Sequence, residues 1–257
     1  MIQNSLAKAF DLSNERVLIT GGGTALGFGM AQCLTQAGAE VVLTGRRESV
    51  LQEAVQQLGD SARYRVHDVT DLDSSRKLID SIESAIGPVT TLINNAGNHV
   101  KKLVEETGFD EFESVFNTHV MGSFALSKAV IPGMKAAKRG NIIFIASMAS
   151  LFGIPQVVAY SAAKSAFLGM VRTMATELSV DGIRVNAIAP GWIHSKMMHR
   201  TAADDPERKN RILTRTPMKK FGQPEDVGWA AVFLCSPAAG FVTGICLPVD
   251  GGISIGF

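Results

Sequence analysis

The sequence has no apolar run approaching the ~18 residues of a membrane-spanning helix, so none is expected. It also lacks an excess of charge. A formal net charge of +1 over 257 residues gives no global reason for nucleic acid or a membrane surface as a partner. Cysteine is scarce: Cys33, Cys235 and Cys246 are scattered and odd in number, which excludes a disulfide framework and any metal-ligand spacing. Cys33 falls in a helical apolar pattern and reads as a core thiol. Met1 to Asp11 lack the charged start, apolar core and cleavage site of a signal peptide. These absences set the expectation of a soluble, cytoplasmic chain. No internal repeat, low-complexity tract or linker divides it, so residues 1–257 are expected to form one domain.

What is present is a steady alternation. Hydrophobic residues make up 46% of the chain, enough for a sizeable core. Short apolar runs read as strands at Arg16–Thr20, Glu40–Thr44, Arg63–Val66, Val89–Ile93, Asn141–Ala146 and Ile183–Ile188, with a last strand in the tail Gly240–Gly252. Helical patterns lie between them at Thr24–Ala37, Ser49–Leu58, Leu72–Ile86, Phe109–Met134 and Val157–Leu178. Strands apolar on both faces belong in parallel sheets. Regular βα alternation predicts an α/β fold, a doubly wound sheet with right-handed crossovers. The polar, charged stretch 192–217 breaks the rhythm after a strand end, where doubly wound sheets bind ligands. A lid is the natural reading, and a surface insertion is the alternative.

Strand one runs into Thr20-Gly21-Gly22-Gly23-Thr24-Ala25-Leu26-Gly27 and then a helix. Glycines there let the backbone approach a pyrophosphate, and the helix N-terminus offers N–H donors. Strand two ends in Thr44-Gly45-Arg46-Arg47. An NAD site usually places a carboxylate there; Gly45 supplies none, and Arg46 offers a planar guanidinium to a 2′-phosphate. NADP(H) is therefore the expected cofactor, with NAD(H) the alternative. Asp68, ending strand three with Val69, is positioned to accept from an adenine amino group. Asn94-Asn95-Ala96-Gly97 ends strand four, where small residues let a cofactor pass.

Tyr160 and Lys164 are four apart, so on a helix they share a face. Ser147 ends the strand upstream. A cation beside a phenol favours the phenolate, so Lys164 is expected to pull the Tyr160 pKa down, and the Ser147 hydroxyl can hold a carbonyl oxygen against Tyr160.

Taken in order, Thr20-Gly21-x3-Ala25-x-Gly27, Asp68, Asn94-Asn95-Ala96-Gly97, Ser147, Tyr160-x3-Lys164 and Asn186-Ala187-Ile188-Ala189-Pro190-Gly191 resemble the short-chain dehydrogenase/reductase family over nearly the whole chain. The resemblance implies a Rossmann-type seven-stranded sheet and a nicotinamide cofactor. It implies Tyr160 as general acid/base, Ser147 orienting the carbonyl and Lys164 binding the nicotinamide ribose. Pro190, Gly191 and Ile193 would pack around the nicotinamide, and Ser195 would bind its carboxamide. The family's tetramers give the expectation of a homotetramer.

Two departures stand out. The middle glycine of the usual phosphate turn is Ala25, and the family's fourth catalytic residue, an Asn that helps hold a relay water, is replaced by His119. Asn117 is two residues off and is expected to face elsewhere. His119 is open to three roles: holding that water, shuttling protons, or a buried structural histidine.

The substrate end is less defined. His99, Lys101 and Lys102 follow strand four, and the 192–217 stretch carries His194, Lys196, His199, Arg200, Arg208, Lys209, Arg211 and Arg215. Cations converging from two loops would suit a carboxylate or phosphate. His99, Lys102, Ser147, Met148, Tyr160 and His194 are the expected substrate contacts. Local runs are similar to family members grouped with gluconate 5-dehydrogenases and related sugar-acid oxidoreductases. The 3-oxoacyl-carrier-protein reductases are similar over the full length. The expectation is a sugar-acid oxidoreductase, with the carrier-protein reductase and a catalytically silent NADP(H) sensor as alternatives.

Overall fold

The computed structural model describes residues 2–194 and 206–256. A first helix, α1 (Ile2–Phe10), leads into β1 (Arg16–Thr20), α2 (Ala25–Gln36), β2 (Glu40–Gly45), α3 (Glu48–Leu58), β3 (Ala62–Val66), α4 (Ser75–Ile86) and β4 (Thr91–Asn94). There follow α5 (Phe109–Phe116), a π-helical turn (Asn117–Met121), α6 (Gly122–Ala137), β5 (Gly140–Ile145), α7 (Val158–Leu178) and β6 (Ile183–Pro190). After the undescribed stretch come α8 (Pro206–Arg215), α9 (Pro224–Cys235) and β7 (Cys246–Val249).

The seven strands form one parallel sheet in the order β3-β2-β1-β4-β5-β6-β7. Successive strand residues point to opposite faces, and the core divides accordingly. Leu18, Leu92, Ile142 and Phe144 pack with α4, α6 and α7. Val17, Ile19, Ile93, Ile143 and Ile145 pack with α2, α3 and α9. This is the doubly wound arrangement that the apolar runs predicted, and the seven-stranded Rossmann-type sheet that the family resemblance implied. Its strand order reverses between β1 and β4, which opens a crevice at their carboxyl ends.

One helix differs from expectation. Phe109–Met134 reads as continuous, but a π turn at Asn117–Met121 separates α5 from α6. Such a turn adds a residue to the helical ladder, and π-bulges often lie at functional sites. Apolar periodicity cannot reveal it, because a single added residue leaves the pattern on either side intact.

Candidate active site

At the end of β5 the backbone of Ser147 is extended, and its Oγ accepts the Ala149 N–H at 3.1 Å. Helix α7 starts at Val158, so Tyr160 and Lys164 lie one turn apart and point back toward this strand end. Lys164 is 3% exposed, and its Nζ donates to the Ile145 carbonyl at 2.5 Å, tying α7 to β5. The same ammonium lies 5.6 Å from the Tyr160 ring centroid and 4.9 Å from that of Phe167.

The electrostatics differ from the sequence expectation. Burial pushes the Tyr160 phenol above its ordinary value, and a hydrogen bond with Ser147 opposes this only in part. Burial also pushes Lys164 down to about 7. Each charged form is costly in this dry corner, and Lys164 spends a hydrogen bond on a neutral carbonyl. The expected depression of the Tyr160 pKa is therefore absent, and Tyr160 is a neutral proton donor at pH 7.

His119 sits in the π turn, 1% exposed, with its ring edge-on to Tyr160 at 5.4 Å and to Phe167 at 6.5 Å. Its Nε2 is 2.7 Å from the Asn98 carbonyl oxygen. Burial first, then the charge of Lys164, lowers its pKa to about 3. Asn117 lies on another face, as expected, where its side chain donates to Glu113 Oε1 at 3.5 Å.

The crevice between β1 and β4 continues from here. A cleft of about 220 Å³ is lined by Gly21, Gly23, Thr24, Arg46, Arg47, Asp68, Val69, Ala96 and Gly97, and also by His67 and Thr118, which sequence reasoning missed. Gly21 has φ +62, a left-handed conformation that only glycine adopts without strain. Gly27 lies beneath it, where a Cβ would come 2.3 Å from the Gly21 carbonyl oxygen. Ala25 takes φ 46 without being glycine, which costs about 1–2 kcal/mol.

Asn95 has a role beyond being small. Its Nδ2 donates to the carbonyls of Thr20 at 2.8 Å and Gly21 at 3.1 Å, while Thr20 Oγ1 accepts from the backbone N–H groups of Asn95 and Ala96, both at 2.9 Å. These bonds fix the glycine turn to the end of β4. Asp68 Oδ1 accepts from the Thr70 backbone and hydroxyl, and Oδ2 lies 3.9 Å from the largely exposed Arg46 guanidinium.

A larger cavity of about 580 Å³ joins at Gly97. It brings together Ser147, Tyr160, Lys164, His119, Leu26, Asn95, Pro190, Gly191, Ile193, His99 and His194. Lys101, Lys209 and Ile212 also line it, the last two from α8, so the 192–217 stretch does contribute a wall. Ile193 bridges to Gly222 and the His194 N–H donates to the Gly222 carbonyl at 2.7 Å, fastening the base of that wall.

Two expected substrate contacts are not where they were placed. Lys102 turns away, its ammonium held by Glu111 at 2.6 Å, and its neighbour Lys101 takes the cavity position. Met148 is buried in the core and does not line the cavity. Arg211 and Arg215 do not line it either. Ser195, Lys196, His199 and Arg200 lie outside the described residues, as does the side chain of Arg208.

A Rossmann-type sheet with a glycine cradle at its switch point and a Ser–Tyr–Lys set beside it defines a nicotinamide-dependent oxidoreductase. Residues 23–254 match the protein family described as enoyl-(acyl carrier protein) reductase. The chain belongs to the short-chain dehydrogenase/reductase family, whose members bind a nicotinamide cofactor and act on alcohol and ketone groups. It is 37% identical to gluconate 5-dehydrogenase of Gluconobacter oxydans over 96% of this chain and 97% of that protein. It is 40% identical to "inactive 2-(S)-hydroxypropyl-CoM dehydrogenase 2" of Xanthobacter autotrophicus over 88% of this chain and 99% of that protein. Its fold is similar to a gluconate 5-dehydrogenase from Burkholderia cenocepacia in complex with NADP and tartrate. The TM-score there is 0.93 at 31% identity, over 98% of this chain and 100% of that one. Among the described residues no helix is long and apolar enough to cross a membrane.

Proposed function

We propose that this chain transfers hydride reversibly between NADP(H) and the secondary alcohol or ketone of a polyhydroxy acid of the gluconate and keto-gluconate type. The observation that carries the substrate class is the charge of the larger cavity. Its described lining includes Lys101, Lys209, His99 and His194 around the mouth and no aspartate or glutamate. Such a wall favours an anionic substrate over a neutral one. The similarity to gluconate 5-dehydrogenases supports the same class. Arg46 and Arg47 at the smaller cleft, with Gly45 in place of a carboxylate, support NADP(H) over NAD(H).

When bound, the nicotinamide supplies or accepts the hydride. The residues that would hold it are Gly21, Gly23 and Thr24 at the phosphates, Asp68 and Val69 at the adenine, and Pro190, Gly191 and Ile193 at the nicotinamide. Ser147 would hold the substrate oxygen by hydrogen bond. Tyr160, neutral because burial holds its pKa up, would donate the proton to that oxygen during reduction. In the reverse direction the same oxygen of Tyr160 would take the proton back, with positive charge at Lys164 stabilising the phenolate. The apolar lining residues Ile145, Ile154 and Ile212 would exclude water from the reacting atoms.

A homotetramer is part of the same proposal. Phe109, Phe124, Trp229 and Phe241 are large apolar side chains at least half exposed in the single chain, which supports their burial between subunits. A cytoplasmic location is proposed with it. The test is oxidation of NADPH and of NADH by the purified protein over keto-sugar acids, simple ketones and acetoacetyl thioesters. Turnover of a keto-gluconate with NADPH is expected. Turnover of the thioester alone would make the protein a 3-oxoacyl-carrier-protein reductase, and binding of NADPH without any turnover would make it a sensor.

A further inference from the structure

Helix α8 gives the larger cavity two residues, Lys209 and Ile212, which are three apart and so share a face. What holds that face in place lies just past the end of the helix. Thr216 is 3% exposed, and its N–H at 3.0 Å and its hydroxyl at 2.8 Å both donate to the Ile212 carbonyl. The residues around it rest on the C-terminal tail. The Met218 N–H donates to the Gly251 carbonyl at 3.1 Å. A Cβ on Gly251 would lie 3.0 Å from the Thr216 methyl, and one on Gly252 would lie 3.0 Å from Pro217 Cγ. Both glycines have positive φ, +62 and +87, so the backbone there is one that side chains rarely adopt. The tail is itself anchored. Asp250 accepts the N–H groups of Gly252 at 2.9 Å and Ser254 at 2.8 Å, and Ile253 is buried in the core. The same tail meets Gly191, whose N–H donates to the Val249 carbonyl at 2.9 Å and where a Cβ would come 2.6 Å from Asp250 Cα. Gly191 and α8 both line the larger cavity, and the tail touches each of them.

We infer that Thr216 and Gly251 are positioning residues: their contact sets where α8 stands, and with it the place of Lys209 and Ile212 in the substrate cavity. Neither residue lines the cavity itself. Thr216 is buried and bonded twice to the carbonyl of Ile212, so a change in its position is passed to a residue of the wall. Close-packed interiors transmit such strain instead of absorbing it. A change of one methyl group at the contact therefore moves the cation that Lys209 presents. An anionic substrate depends on that cation, and a small uncharged ketone does not.

The inference rests on the reading of the larger cavity as an acid site, but its first test does not need turnover. Amide hydrogen exchange of the full chain, read by mass spectrometry, compares the parent with Gly251→Ala, Thr216→Ser and the double variant. Gly251→Ala adds a methyl at the contact, Thr216→Ser removes one, and the double variant restores the total. Alanine is also strained at φ +62, so exchange in α8 is compared with exchange in the sheet of the same protein. Each single variant should speed exchange across Pro206–Arg215 by ~5-fold more than across β1, β4 and β5, and the double variant should recover most of that difference. Unchanged exchange in α8, an equal rise in α8 and the sheet, or no recovery in the double variant overturns the inference. The second test is kinetic. Gly251→Ala should raise KM for a keto acid by ~2- to 5-fold, with kcat within about twofold of the parent and KM for an uncharged ketone nearly unchanged. An equal rise for both substrates also overturns it. Should Gly251→Ala not fold, exchange in Thr216→Ser against the parent decides alone. If the parent turns over no acid in the substrate panel, the acid-site reading fails while exchange still reports on the contact.

Discussion

A side chain at residue 97 would collide with His119: a Cβ on Gly97 would lie 2.2 Å from the imidazole Cε1. The glycine at the end of β4, which lines both clefts, is therefore also the floor on which the imidazole rests. Gly97→Ala must displace that ring or the backbone, at a cost of about 1–3 kcal/mol. Because the clash is with one residue, Gly97→Ala combined with His119→Ala should be less destabilising than the sum of the two. Urea unfolding of all four proteins measures that coupling, and simple additivity would mean the two positions do not share the space.

In the proposed mechanism, Tyr160→Phe removes the group that exchanges a proton with the substrate oxygen. Its loss should lower kcat by ~10²–10⁴-fold. The smaller cleft lies at the ends of β1 to β4 and does not include Tyr160, so NADPH binding, followed by fluorescence titration, should change little. A variant with near-parental kcat would remove Tyr160 from the mechanism.

Lys164 makes stability depend on pH with a definite sign. Its pKa falls from 10.5 when unfolded to about 7 when folded, because burial penalises the ammonium. Between those values the unfolded chain binds more protons, so stability rises with pH across the window. Below about pH 7 both states are protonated and the penalty is at its full size. Lys164→Met should therefore raise Tm at pH 6, and the gain should shrink steadily toward pH 10. A gain independent of pH would show that the ammonium carries no such penalty in the folded protein.

The sheet was readable because its inner strands β1, β2, β4, β5 and β6 are short, largely apolar runs buried on both faces, while the edge strand β3, with Arg63 and Arg65, was placed by its position in the βα alternation. The cradle was readable because Gly21 and Gly27 stand where a side chain would be strained or would clash. What escaped has physical causes. The π turn at Asn117–Met121 leaves apolar periodicity intact on both sides. Helix α9 begins at Pro224, with Asp226 accepting the Gln223 N–H at 2.7 Å, but its largely apolar run Val227–Cys235 carries no amphipathic period to mark it as a helix. The exchange of Lys101 for Lys102 turns on an irregular loop, where neighbouring side chains follow no period. Electrostatic direction also escaped, since spacing places Lys164 near Tyr160 but cannot show that both are desolvated.

Arg46 tests cofactor choice. Its guanidinium is largely exposed and only loosely paired with Asp68 at 3.9 Å, so it is available to a 2′-phosphate. A charge-assisted hydrogen bond contributes ~1.5–3 kcal/mol, or ~10- to 100-fold in affinity. Arg46→Ala should raise KM for NADPH by that factor and leave KM for NADH nearly unchanged. Equal effects on both cofactors would exclude 2′-phosphate recognition by this residue.

Lys101 and Lys209 test the substrate class, and Lys102 is the natural control. The first two line the cavity from opposite segments, the loop after β4 and helix α8. Lys102 is as cationic as its neighbour, but its ammonium is engaged by Glu111. If the cavity is built for a carboxylate, Lys101→Ala and Lys209→Ala should each raise KM for a keto acid by ~2- to 5-fold, the equivalent of one solvent-screened charge contact. The effect should weaken at high salt and be absent for an uncharged ketone. Lys102→Ala should leave both substrates unaffected, because its loss changes net charge without changing the cavity wall. Equal losses in all three variants would mean that long-range charge alone attracts the substrate, and the wall would then have no part in choosing an acid.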